Sequence, residues 1–171
     1  MMAKTPKAAG VVGLGMFGLG AEFTDPAAIE FAHRVRDELG VDIRDSPYRY
    51  YQTDEILALI NCVSADKILL WGTSLGANNT QVVASQTDKA IAGVWDFQCS
   101  QFGSKNPITS NVQLFHCVFN PFVALGSYKP QLAEGNGVTQ AMWTERWVNH
   151  PGDQDIATQD MFLDQMARVM A

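Results

Sequence analysis

The stretch Lys67-Ile68-Leu69-Leu70-Trp71-Gly72-Thr73-Ser74-Leu75-Gly76-Ala77-Asn78-Asn79 decides how the chain is read. Ile68 to Trp71 is an apolar run of strand length, and Ala77 to Ala84 reads as a helix with Leu75, Val82 and Val83 as its apolar residues. The intervening Gly-Thr-Ser-Leu-Gly predicts a sharp strand-to-helix turn with Ser74 at its apex. Glycines two before and two after the serine leave room for strand and helix to pack closely, which pushes the hydroxyl out at the sheet edge.

Working toward the N-terminus, Thr53 to Val63 is a short helix with Ile56, Leu57, Ile60 and Val63 inward. Val41-Asp42-Ile43-Arg44 reads as a second strand ending in the turn-like Asp45-Ser46-Pro47. Tyr48, Tyr50 and Tyr51 follow as an aromatic cluster, packed between elements or lining a pocket. Asp25-Pro26 supplies an N-cap and a first-position proline for a helix that runs to Leu39 and stops at Gly40. Gly13-Leu14-Gly15-Met16-Phe17-Gly18 fits G-x-G-x-x-G after an apolar run, so a dinucleotide site is considered. In that fingerprint the helix begins inside the glycine motif, and here the next helix signal comes seven residues beyond Gly18. The glycines therefore read as a first strand followed by a flexible loop from Gly15 to Thr24, and nucleotide binding is the weaker reading.

Working toward the C-terminus, Ala90 to Trp95 is a buried strand ending at Asp96, and Val112 to Phe119 is the next, closed by Asn120-Pro121. Thr139 to Val148 reads as an edge strand, interrupted by Glu145 and Arg146, and Ile156 to Met170 as a closing amphipathic helix. Gln98 to Asn111 and Phe122 to Val138 have no clear period and read as loops. Strands alternating with helices predict a mostly parallel sheet of about five to six strands covered on both faces, a three-layer α/β/α sandwich formed by residues 1–171 as a single domain.

Composition narrows the function classes. With 47% hydrophobic and 18% charged residues the chain is an ordinary globular one, and a net charge of −6 without any basic run excludes nucleic acid and anionic membrane surfaces as expected partners. Cys62, Cys99 and Cys117 are odd in number, and each lies in an apolar segment, so buried free thiols are expected. No C-x-x-C exists, and His33, His116 and His150 lie far apart, so no metal site is expected. Lys4 and Lys7 followed by Ala8 to Ala21 imitate a signal peptide, but five glycines suit a strand and loop better; a cytoplasmic protein is expected, with export left open.

Functional groups of parallel sheets gather at the carboxyl ends of the strands, and Ser74, Asp96 and His150 stand at such ends in the order serine, acid, histidine. The chain resembles a minimal, lidless α/β-hydrolase of the small bacterial and phage lipase or esterase type. The resemblance rests on Gly13-Leu14-Gly15, Gly72-Thr73-Ser74-Leu75-Gly76-Ala77, Val94-Trp95-Asp96-Phe97 and His150 before the last helix. It implies a serine nucleophile at Ser74, a general base at His150, and an oxyanion hole from the amides of Leu75 and Met16, each donor worth roughly 3 kcal/mol. Many relatives carry the acid after the following strand, where this chain has Asn120; Asp96, one strand earlier, is the assigned acid, with Asp153 second. Thr73 stands where relatives often have histidine or tyrosine. The implied substrate is a carboxylic ester, small or polymeric, cleaved without a cofactor. A non-catalytic protein on the same fold is the competing reading.

Overall fold

The computed structural model describes residues 10–19, 26–120, 129–132, 140–146 and 153–171. Among them six strands form one all-parallel sheet: β1 (Val11–Phe17), β2 (Tyr48–Arg49), β3 (Lys67–Thr73), β4 (Gly93–Phe97), β5 (Leu114–Phe119) and β6 (Gln140–Glu145). Four helices accompany them: α1 (Pro26–Leu39), α2 (Thr53–Cys62), α3 (Leu75–Ser85) and α4 (Ile156–Met170). The strand order β2-β1-β3-β4-β5-β6 places β3, which carries the serine turn at its end, between two paired strands.

Side-chain alternation along the strands makes two cores, one on each face. Leu14, Met16, Ile68, Leu70, Val94 and Phe115 pack with Ile56 and Ile60 of α2 and with Ala77 and Val83 of α3. Leu69, Trp71, Trp95 and Phe97 face the other way, against Phe31 and Val35 of α1 and Phe162, Leu163 and Met166 of α4. Each such side chain, fully buried, contributes about 1.5–3 kcal/mol. The C-terminal end of α1 is closed where its sequence predicts, whereas its expected N-cap, Asp25, lies outside the described residues. Gly40, at φ 70°, terminates α1, and the Asp155 side chain caps α4 by accepting from the Thr158 amide. The Lys67 ammonium donates to the Val169 and Met170 carbonyls at 2.7 and 2.9 Å, tying the last turn of α4 to the start of β3.

Three local expectations change. Val41 to Arg44 is not a strand: Asp42 forms a single bridge to Val12, Arg44 turns the chain at φ 52°, and the partner of β1 is Tyr48–Arg49. Val41 and Ile43 look strand-like because both are buried in the α1 core. The glycine run is also not a loop from Gly15 onward, since β1 continues through Phe17. A Cβ on Gly13 or Gly15 would lie 2.7 or 2.3 Å from the Trp71 indole, so those glycines are the space into which the ring packs. Finally, Cys99 and Cys117 are buried free thiols, whereas Cys62, at the end of α2, is exposed. His116 is a core residue, with Nδ1 2.9 Å from Gln165 Oε1 and Nε2 2.7 Å from Thr144 Oγ1. Burial lowers its pKa from the ordinary histidine value.

Candidate active site

Ser74 occupies φ 54°, ψ −121°, a region that non-glycine residues rarely adopt and that costs on the order of 1–3 kcal/mol. Its surroundings hold it there. The Ser74 amide donates to the Phe97 carbonyl of β4 at 3.1 Å, and its carbonyl accepts from the amides of Asn78 and Ser100 at 3.3 and 3.4 Å. Both flanking glycines are sterically required: a Cβ on Gly72 would lie 2.6 Å from the Ala77 nitrogen, and one on Gly76 would lie 2.4 Å from the Met16 carbonyl oxygen. The first turn of α3 is thereby pressed against both β3 and β1.

Leu75 is the first residue of α3, so its N–H has no partner within the helix and stands at the positive end of the helix dipole. Gly18, the first residue after β1, faces it. A Cβ on Gly18 would sit 3.2 Å from Ser74 Oγ and 3.3 Å from the Leu75 nitrogen. Because Gly18 has no side chain, a position about 3 Å from both hydroxyl and amide stays open for a reacting atom. Met16, the expected second donor, lies two residues earlier in the chain. It sits inside β1, paired with Tyr48 on one side and Gly72 on the other, and its side chain is in the core, where Sδ accepts from Asn79 Nδ2 at 3.5 Å. The loop residue that reaches the serine is Gly18, which the sequence reading did not single out. The available signal was its position as the last glycine of the G-x-G-x-x-G motif, where the strand stops.

Asp96 pairs in register with Gly72, two residues before the serine, and is fully buried. Its side chain points beneath the second turn of α3: Oδ1 accepts from Thr80 Oγ1 at 2.8 Å, and Oδ2 from Gln81 Nε2 at 3.1 Å and from Cys99 Sγ at 3.7 Å. Burial raises its pKa from 3.8 to about 7, against the opposing pull of the Gln81, Thr80 and Cys99 bonds. Asn120 follows β5 at the same carboxyl edge and is buried, as is Asp153 just before α4. His150 lies outside the described residues. The structure thus brings Ser74, Leu75 and Gly18 together and sets Asp96 against the helix behind them. Among the described residues no cluster of histidine, cysteine, aspartate and glutamate could hold a metal ion, and no helix is long and apolar enough to cross a membrane.

A parallel sheet with a strained serine between its third strand and the following helix defines the α/β-hydrolase fold. Solved structures agree. The chain superimposes on human thioesterase 2 with a TM-score of 0.61 at 10% identity, covering 93% of this chain and 95% of that one. With an alpha-beta serine hydrolase homologue from Coxiella burnetii the TM-score is 0.57 at 14% identity, covering 98% and 88%. With a cutinase-like protein from Cryptococcus sp. it is 0.54 at 13% identity, covering 97% and 98%. At these identities the likeness shows the fold. No family model and no curated protein matches the sequence.

The raised pKa of Asp96 fixes a sign. A carboxyl that binds its proton more tightly folded than unfolded lowers stability as pH rises from about 4 to about 7, with no further loss above. Asp96→Asn removes the titration, and Gln81, whose Oε1 has no hydrogen-bond partner, can reverse its amide to accept from the new NH₂. Urea unfolding from pH 4 to 8 is expected to show the variant gaining on the parent at up to about 1.4 kcal/mol per pH unit, levelling off above pH 7. A flat difference across that range would refute the raised value.

Proposed function

We propose that the protein is a serine hydrolase that cleaves carboxylic esters through an acyl-enzyme. The observation that carries the reading is the Ser74 turn: a hydroxyl held at positive φ on a helix N-terminus, with a Leu75 amide that has no partner within the helix and the space left by Gly18 converging on one point. In the proposed reaction the Ser74 hydroxyl attacks the ester carbonyl carbon while its proton passes to His150. The oxygen that becomes negative occupies the space beside Gly18 and accepts from the Leu75 N–H, with the amide of the loop after β1 as second donor. Collapse of this intermediate expels the alcohol, which takes the proton back from His150. Water, deprotonated by the same imidazole, then attacks the acyl-serine and releases the carboxylic acid. Chain order gives His150 the role of base and Asp96 that of the carboxylate orienting it. For that role Asp96 exchanges one of its bonds to α3 for one to the imidazole.

Three measurements test the proposal. A fluorophosphonate is expected to label Ser74, and Ser74→Ala to lower hydrolysis of 4-nitrophenyl acetate by about 10³-fold or more with little change in the unfolding midpoint. Absence of labelling on the folded protein would favour a non-catalytic role. Gly18→Ala places a methyl group in the oxyanion space and should lower kcat by about 10²-fold while KM moves little; full activity would place the oxyanion elsewhere. Asp96→Asn, if Asp96 orients the base, should cost about 10⁴ in kcat, whereas a loss under tenfold would pass the orienting role to another group.

A further inference from the structure

A groove of about 320 Å³ opens directly beside the nucleophile. Its floor is one stripe of α3: Leu75, Asn78, Asn79 and Val82, at positions i, i+3, i+4 and i+7 of the helix. Tyr50, from the turn after β2, forms one wall, and Phe102, from the loop after β4, forms the other. Leu75 and Val82 are the helix's unburied apolar residues. Both are only partly buried, while Val83 beside them is fully in the core. Phe102 is 77% exposed.

The polar residues of the floor do not offer their polar atoms to the groove. Asn78 Nδ2 donates to the carbonyls of Ser100 and Ser104, and its Oδ1 accepts from the Ser100 amide. Asn79 Oδ1 accepts from Thr53, and its Nδ2 points to Met16. No lining residue carries a charge at neutral pH. Gly103 keeps the wall close, since a Cβ there would lie 2.5 Å from Asn78 Cγ. The groove therefore presents uncharged surface, hydrocarbon from Leu75, Val82 and Phe102 mixed with the polar residues Tyr50 and Ser104, for the length of two helical turns, about 10 Å, and it begins at the residue next to Ser74.

We infer that this groove is the acyl subsite, and that the substrate class is neutral esters of medium-length, unbranched acids, roughly eight to ten carbons by the 10 Å span. The inference rests on the ester hydrolysis proposed above and adds to it the direction in which the acyl chain lies. The occupant follows from continuity with the serine and from the absence of any charged lining residue that would hold a carboxylate or a phosphate. Val82 then sets the far end of the chain, and Phe102 covers it.

The test compares 4-nitrophenyl decanoate with 4-nitrophenyl acetate, and separately titrates 1-decanol against the Ser74→Ala protein by NMR. The parent is expected to prefer the decanoate in kcat/KM. Val82→Trp should lower the decanoate-to-acetate ratio at least tenfold. Phe102→Ala, an exposed change that the fold tolerates, should lower it severalfold. 1-Decanol should shift the methyl signals of Leu75 and Val82. Activity on both esters with a ratio unmoved by either variant overturns the groove and leaves the hydrolase reading standing. Decanol binding at Leu75 and Val82 without cleavage of any ester keeps the groove and overturns the hydrolase reading. Neither cleavage nor binding overturns both.

Discussion

The contact on which the rest of the structure depends is the approach of one helical turn to two strands. Gly72 lets the backbone of Gly76 and Ala77 lie against β3, and Gly76 lets it lie against the Met16–Phe17 peptide of β1. A turn this tight forces Ser74 to positive φ. The strain persists because the surroundings over-determine it: β3 is held between β1 and β4, the serine amide is bonded to β4, and its carbonyl is bonded to both the helix and the loop after β4. The rigidity of the site is thus the rigidity of the sheet centre, and only Gly18 comes from the margin.

The same closeness explains an unusual helix. α3 is buried over most of its circumference, including Asn78, Asn79, Thr80 and Gln81, so it cannot satisfy the usual division into an apolar and a polar face. Each of those polar side chains instead has a specific partner. Thr80 and Gln81 fasten the helix to Asp96, Asn78 fastens it to the loop after β4, and Asn79 to α2 and β1. Asp96 is the costly member, because burial opposes its charge, and its bonds to the helix offset that cost only in part. Burial thus raises the pKa of a carboxyl that is bonded to the helix following Ser74.

Legibility in the sequence followed the range of the interaction. The serine turn was readable because its requirements, two glycines and the residues flanking them, lie within five positions. α4 was readable because its apolar stripe is local. The errors came from distant partners. Gly13 and Gly15 resemble loop glycines until Trp71, more than fifty residues on, is seen filling the space above them. β2 consists of two residues whose strand character exists only in pairing with β1, while buried Val41 and Ile43 carry the stronger local pattern. Met16, expected as a second oxyanion donor, lies within β1, and the residue abutting Ser74 is Gly18, because the strand continues farther than its glycines suggest.

Asp96 shows where such reading stops for a physical reason. Its place at the end of its strand was legible; its face comes from the structure, where Trp95 and Phe97 enter the α1 and α4 core and Asp96, by parity, turns toward α3. What parity cannot give is the height of the carboxylate along the helix. Register with Gly72 puts it two residues short of the serine, and Thr80 and Gln81 lie six and seven residues past the serine, about 9–10 Å along the axis. A carboxylate held there is bonded to the helix, so orienting an imidazole requires one of those bonds to be exchanged. What opens onto Ser74 from the other side is the Leu75 amide, the space left by Gly18 and the groove that runs on to Val82.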